Sequence, residues 1–424
     1  MKTAPAMRLV VLCPHFAPDI APTGDVMTAI VAELVKYNIE VHVVTALPWY
    51  RDHEIESSWT GRLIRREHTA WGSITRLHPF PGKNKQGLVR RALGFIAFSV
   101  LAGVSALFAG GIHRRVHAVI SMSPPLTLGL MGWCSSFLRR APLIFNIQDI
   151  FPDAAVTTGA ITNRFVIACA KKLEIVTYHR ASKIVVLSED LQRNVQKKIK
   201  SKAHNRVVVI PNFIDVNAIR PLNRMTAYRR ELSIGPELVV MYAGNVGFSQ
   251  SLELLIEAAR QMPHVTFVIN GGGSAKEALQ AQAIGISNLR FGHYQPKERL
   301  SEVLATADIH VVPLRAGLGV VSVPSKTYSI LAAGRVIVAA IDPDTEVPRI
   351  LAASGGGLCV APDDPLALVS AISRLVSDPV MSETMGKSGR EWVELHVSAE
   401  AVAKMYADLL SMVTNRLVAS LSHG

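Results

Sequence analysis

The feature that most constrains this chain is a series of short Val- and Ile-rich runs, each followed by a stretch of helical periodicity. The runs at 8–13, 40–45, 118–122, 143–147, 183–187 and 207–210 are apolar almost throughout. Strands buried on both faces of a parallel sheet need that pattern, whereas half-exposed strands alternate. Six more runs follow at 238–244, 266–270, 288–291, 309–313, 336–340 and 357–360. Helical segments lie between them, at 26–36 and 163–180, then at 252–261, 275–283, 298–305, 324–333 and 365–377. Parallel neighbours need crossovers, and helices supply them. The pattern therefore predicts an α/β chain of two doubly wound, Rossmann-like domains. The 424 residues suffice for two such domains, each with its own core. A polar, irregular stretch at 215–237, containing Pro221 and Pro236, separates the halves. The predicted domains are 1–205 and 206–395. The last segment, 396–424, is helical near 398–416 and is free to return to the first domain.

Charge is unevenly placed. Of the 45 Lys+Arg and 33 Asp+Glu, residues 1–205 hold 26 and 13, so the first half carries all the excess positive charge. Such asymmetry predicts a surface that meets anions, such as phospholipid head groups, nucleic acid or a phosphorylated substrate; a solvated basic face is the plainer reading. Cys13, Cys134, Cys169 and Cys359 form neither a zinc spacing nor a disulfide framework, the pattern of a reducing compartment. The apolar run near the start is too short for a signal peptide and reads as a first strand. Residues 92–112 contain no ionisable side chain and are long enough to span a bilayer. Spanning would put strands of one sheet on opposite sides of the membrane. The segment is therefore read as a core helix or an interfacial membrane helix, with Ser99, Ala102, Ala106 and Ala109 spaced for close packing.

Several strand ends carry residues suited to anions. The first strand is followed by the loop PHFAPDIAPTG, ending in Gly24, and the dinucleotide G-x-G-x-x-G is absent. A glycine just before a helix lets backbone N–H groups approach an anion, or simply makes a turn. In the second half, AGNVGFSQS (243–251) closes a strand and opens a helix, and NGGG (270–273) ends the next strand. Gly247, Ser249, Gln250 and Gly271 are the candidate contacts there for an anion such as a pyrophosphate. SVPSKTYS (322–329) places Ser325 and Lys326 at another helix start. A lysine there is unfavourable unless an anion accompanies it, or unless it simply faces solvent. The strand at 143–147 leads into QDIFPD, whose Gln148, Asp149 and Asp153 can face a ligand; the plainer reading of Asp153 is a helix cap.

Taken in order, PDIAPTG, EVHVVTALPWY, NIQDIFPDA, KIVVLSEDL, IPNFID, MYAGNVGFSQSLELLIEAA, VPSKTYSILAAGRVIVAA and GLCVAPDDPLALVSAI make the chain similar to the family 4 retaining glycosyltransferases. Within them it resembles the subgroup building capsular, colanic-acid and O-antigen polysaccharides, including fucosyl- and N-acetylfucosaminyl-transferases. The resemblance implies a GT-B fold, two Rossmann-like domains facing each other across a cleft, with acceptor on the first and nucleotide-sugar donor mainly on the second. It implies that Gly24 and Gly247 lie near the donor phosphates, that Lys326 contacts the diphosphate, and that Asp149 and Gln148 face the transferred sugar or acceptor. Lys326 and Asp149 are the residues expected to carry catalysis.

The chain departs from the family where many members have a Glu-x7-Glu pair; Val321 and Ser329 stand there. Ser249 and Gln250 replace a basic residue, and Glu346 is a further candidate for donor contacts. The expected reaction moves a sugar from a UDP- or GDP-linked donor to a polyprenyl-diphosphate-linked glycan. The anomeric configuration is retained, and the departing phosphate oxygen takes the acceptor proton. No cofactor, metal or nucleic acid is expected. The expected location is cytoplasmic, peripheral at the inner face of the plasma membrane and against its anionic surface. A nucleotide-sugar 2-epimerase and a non-catalytic nucleotide-sugar-binding scaffold are the alternatives.

Overall fold

The computed structural model describes residues 7–19, 21–50, 54–80, 88–153, 156, 161–318 and 326–415, without the side chains of 88–91. The chain divides into two compact units, Met1–Asn212 with Val402–Gly424, and Phe213–Ala401. The boundary thus falls after Asn212 and not at 205. The reason is β8 (Val207–Val209), which pairs in parallel with β7 (Lys183–Val186) and completes the first sheet. The helix Ala399–Thr414 runs from the second unit into the first, where buried Tyr406 bonds Asn146.

The first sheet contains β1 (Met7–Leu12), β2 (Ile39–Ala46), β3 (Ile64–Thr69), β4 (Gly72–Leu77), β5 (Ala118–Ser123), β6 (Leu143–Ile147), β7 and β8. Their spatial order is β3-β4-β2-β1-β5-β6-β7-β8. All neighbours are parallel except β3 and β4, which form an antiparallel hairpin. The sequence reading has no strand there. β3 reads IRREHT and alternates exposed with half-buried positions, so an edge strand of this kind shows no apolar run.

The second sheet contains β9 (Val239–Ala243), β10 (Thr266–Asn270), β11 (Leu289–Gly292), β12 (Ile309–Pro313), β13 (Val336–Ala340) and β14 (Gly357–Val360), all parallel. Their order, β11-β10-β9-β12-β13-β14, reverses direction at β9. The helices Glu253–Gln261 and Pro365–Ser377 cover one face through Leu254, Leu255, Leu368 and Ile372, in one cluster with Phe267 and Val338 of the strands. The long helix Pro379–His396, also absent from the sequence reading, is mostly polar and buries only Gly386, Gly389 and Val393.

Three helices of the first unit matter below: α1 (Pro22–Val35), α2 (Leu88–Phe108) and α3 (Leu126–Leu138). α2 is the apolar segment, and it has two different faces. Phe98, Ser99, Ala102 and Ala106 are buried, and Gly103 packs so closely on α3 that a Cβ would lie 2.7 Å from Met131 Cε. The Ser135 hydroxyl donates to the Gly103 carbonyl at 2.8 Å. On the other face Leu93, Ile96, Val100, Val104 and Phe108 are each 45–60 % exposed. Gly110 and Gly111, at φ 73° and 90°, follow the helix and turn the chain away, a conformation that favours glycine. Among the described residues no helix is long and apolar enough to cross a membrane.

Candidate functional site

In an open parallel sheet, ligands bind beyond the carboxyl ends of the strands where the order reverses. In the second unit that point is β9 with its neighbours β10 and β12. The loops leaving β9 and β10 are tied together: Gly244 N–H donates to the Asn270 carbonyl and Val246 N–H to the Gly272 carbonyl, both at 2.9 Å. Gly271 has φ 138°, and a Cβ there would lie 1.9 Å from the Gly244 oxygen, so only glycine fits. A cavity of about 480 Å³ opens at this edge, lined by Gly244, Asn245, Gln250, Asn270, Tyr294 and Lys326 among others.

Lys326 begins the helix Lys326–Ala332. Its ammonium donates to the Tyr242 hydroxyl at 2.8 Å and sits 4.0 Å from that ring's centroid. Tyr242 is fully buried, and its hydroxyl donates a hydrogen bond to the Asn245 carbonyl. Among the described residues no carboxylate pairs with Lys326. Desolvation accordingly pushes its pKa down from 10.5 to about 8. An anion nearby would offset the cost of desolvating such a cation.

The other donor candidates are placed differently. Gly247 has an ordinary φ of −115°, and a Cβ would meet only side-chain ends, Gln250 Oε1 at 2.9 Å and Asn245 Nδ2 at 3.0 Å. The conformational demand expected at Gly247 therefore belongs to Gly244, Gly271 and Gly273. Gln250 lines the cavity, with its carbonyl accepting from Gly247 N–H at 3.0 Å. Ser249 accepts from the Gln250 amide at 3.2 Å and does not line the cavity. Ser329 does line it. Glu346 is paired with Arg349 at 2.9 Å, away from the cavity walls. Ser325 and Val321 lie outside the described residues.

In the first unit, Gly24 is not in a loop before the helix. It lies in the first turn of α1, buried, where a Cβ would come within 2.9 Å of His15 Cβ. Its missing side chain seats the preceding loop. Gln148 is also buried: its amide N–H donates to Asn146 Oδ1 at 2.7 Å and its carbonyl accepts from Asn212 at 3.0 Å. Asn146 continues this chain to Tyr406. The Gln148 amide is therefore engaged at both ends within the protein. Asp149 beside it is reached by solvent, yet neighbouring protein removes enough hydration to push its carboxyl above the usual range. The sequence reading did not single out the pair His15 and Asp19, whose Nδ1 and Oδ2 lie 2.6 Å apart in the β1–α1 loop. An i,i+4 His–Asp spacing outside a helix carries no signal by itself. Among the described residues no group of three or more His, Cys, Asp or Glu is placed to hold a metal.

Comparison with known proteins agrees with this architecture. The family described as "Glycosyl transferase 4-like domain" matches residues 23–212, and "Glycosyl transferases group 1" matches 237–378. The chain is a GT-B glycosyltransferase of this family. The glycosyltransferase is 25 % identical over 413 residues to WcaI of Escherichia coli (strain K12), provisionally assigned as a colanic acid biosynthesis glycosyl transferase; the match covers 94 % of this chain and 98 % of WcaI. Its fold is shared with sucrose-phosphate synthase from Thermosynechococcus elongatus, at TM-score 0.69 and 19 % identity, covering 96 % and 99 % of the two chains. Anabaena HepE in complex with UDP-glucose matches at TM-score 0.64 and 14 % identity, covering 96 % of this glycosyltransferase and 100 % of that chain.

Proposed function

We propose that this glycosyltransferase moves a sugar, with retained configuration, from a UDP- or GDP-linked donor to a polyprenyl-diphosphate-linked glycan during cell-surface polysaccharide synthesis. The observation that carries the donor half is Lys326, a desolvated cation without a counter-charge among the described residues, at the second sheet's switch point. As the glycosidic bond breaks, negative charge grows on the leaving diphosphate. A fixed ammonium stabilises that charge more than the ground state, which lowers the barrier. UDP-glucose in HepE and the colanic acid assignment of WcaI support the substrate classes. The acceptor proton leaves with the departing phosphate oxygen, so no separate base is required.

The test is incubation of the protein with labelled UDP- or GDP-sugar and a lipid extract of the cells that make it. Labelled lipid-linked product with the donor's anomeric configuration by NMR is expected. Epimerised free donor, or binding without turnover, would replace this reading with an epimerase or a binding scaffold.

The acceptor half rests on α2. Besides its exposed apolar face, Phe137 and Leu138 at the end of α3 are exposed, as are Arg114, Arg115 and Arg140 nearby in sequence. An apolar face flanked by cations suits an anionic bilayer surface, and each basic residue there contributes roughly 1 kcal/mol. Peripheral binding at the inner face of the plasma membrane would present the first unit to a diphosphate at head-group level. Flotation with liposomes should require anionic lipid, weaken in high salt, and fall when Arg90, Arg91, Arg114 and Arg115 become Gln. Lys83 and Lys85 precede α2 in the sequence and add to the basic residues around it, but lie outside the described residues. No binding to any liposome would remove the membrane from the proposal.

A further inference from the structure

We propose that His15 accepts, through Nε2, a hydrogen bond from a non-attacking hydroxyl of the acceptor sugar, and that Asp19 fixes the tautomer needed for this. The inference rests on the reading of the first unit as the acceptor side of a glycosyltransferase.

His15 and Asp19 lie in the loop beyond the carboxyl end of β1, where the order of the first sheet reverses between β2 and β5. Asp19 is 2 % exposed. Its Oδ1 accepts from Trp49 N–H at 3.2 Å and Tyr50 N–H at 3.0 Å, and its Oδ2 faces His15 Nδ1 at 2.6 Å. A carboxylate can only accept, so the ring proton resides on Nδ1. In the neutral imidazole Nε2 is then an acceptor. Nε2 has no protein partner among the described residues, and it is not among the buried polar atoms sealed without one.

The loop is held before any substrate arrives. Ala17 N–H donates to Thr28 Oγ1 at 3.0 Å, and the Ala17 carbonyl accepts from Arg76 at 2.6 Å. Gly24 leaves room beneath His15 Cβ. Such a shell fixes one side chain more firmly than loop packing alone requires. The surroundings also select the ligand. Trp49 stacks on the imidazole at 5.8 Å, and Tyr50, 40 % exposed, meets its face edge-on at 5.1 Å. The Asp19 carboxylate disfavours a second anion there. A neutral ring with hydroxyl donors and apolar C–H faces matches an aromatic flank with one acceptor atom.

Three variants test the assignment in the full-length protein, with the lipid extract as acceptor and calorimetry with UDP and GDP as the donor-side control. His15→Phe keeps the aromatic packing and removes Nε2; it should raise the acceptor KM about tenfold and leave nucleotide affinity unchanged. His15→Gln puts an amide oxygen near the Nε2 position and should recover most of the loss. Asp19→Asn keeps an oxygen for the Trp49 and Tyr50 amides but offers N–H to Nδ1. The ring proton should move to Nε2, visible in the 15N spectrum of the imidazole, and the acceptor KM should rise as in His15→Phe. Native acceptor kinetics in His15→Phe, or a Gln variant no better than Phe, would reduce the pair to a loop staple. Lost nucleotide affinity in His15→Phe would put the residue on the donor side and overturn the assignment. If the unaltered protein transfers no sugar, the function proposed above falls and takes this inference with it. If it transfers and the variants match it, only this inference falls.

Discussion

The two sheets end in opposite electrostatic conditions at their carboxyl edges. At the first, charged side chains have counter-charges within the protein: Arg76 with Glu67 at 2.9 Å and His15 with Asp19 at 2.6 Å. At the second, Lys326 has only a tyrosine hydroxyl and ring among the described residues. The deficit is local. At the amino end of β12 in the same unit, Asp308 receives Arg224 at 2.7 Å and faces Arg229 at 3.7 Å. An edge whose charges are matched needs no charged ligand and can orient a neutral one. An unmatched buried cation is costly until an anion arrives, and that cost is recovered as binding and transition-state energy.

The comparison breaks most decisively at Lys326. Lys326→Ala should lower the transfer rate about 10- to 1000-fold, the range for a lost charge-stabilising donor. Lys326→Met should also raise the melting temperature of the empty protein, because it replaces a half-buried, desolvated cation with an apolar chain of similar length. Unchanged transfer in a folded variant would show that the diphosphate is held elsewhere.

Acidity sharpens the same contrast. With Lys326 at about pKa 8 in the empty protein, donor affinity should be flat below that pH and weaken by up to tenfold per pH unit above it. The stability effect has the opposite sign. The penalty of the charged, unpaired ammonium is present below pH 8 and fades as pH rises from about 8 towards 10.5, where the unfolded chain also loses its proton. Calorimetric titrations with UDP and GDP across that range check the first statement, and denaturant melts of the empty protein check the second.

Smaller effects separate the glycines. Gly271→Ala forces a Cβ into the Gly244 carbonyl and should destabilise the protein by about 1–3 kcal/mol in denaturant melts. Gly247→Ala meets only movable side-chain ends and should cost less than about 1 kcal/mol. The reverse ranking would mean that the β9–β10 loops are not tied as described. Smallest of all is Val104→Ser on the exposed face of α2. It should change stability by no more than about 0.5 kcal/mol while weakening liposome flotation, whereas a serine in a packed core would cost several times that in melts.

The sequence by itself determined the two parallel sheets, because strands buried on both faces must be continuously apolar and so announce themselves; Leu143–Ile147, Thr266–Asn270, Ile309–Pro313 and Val336–Ala340 begin and end where their runs do. It also placed Lys326 at a helix start, where a cation is out of place on local grounds alone. Tertiary structure decided what had no local signature. The β3–β4 hairpin is polar on its outer strand, and only pairing with β2 makes it part of the sheet. Gly24 looks like a phosphate-loop glycine in the sequence, but the His15 side chain packed against it is what excludes a Cβ. Gln148 looks free at a strand end, yet Asn212, far along the chain, and Asn146, bonded to Tyr406, consume its amide. Asp19 and His15 become a pair only because the backbone of Trp49 and Tyr50 arrives beside them. Apolar periodicity is written in neighbouring residues, whereas hydrogen-bond partners and steric neighbours are chosen by segments that meet only after folding.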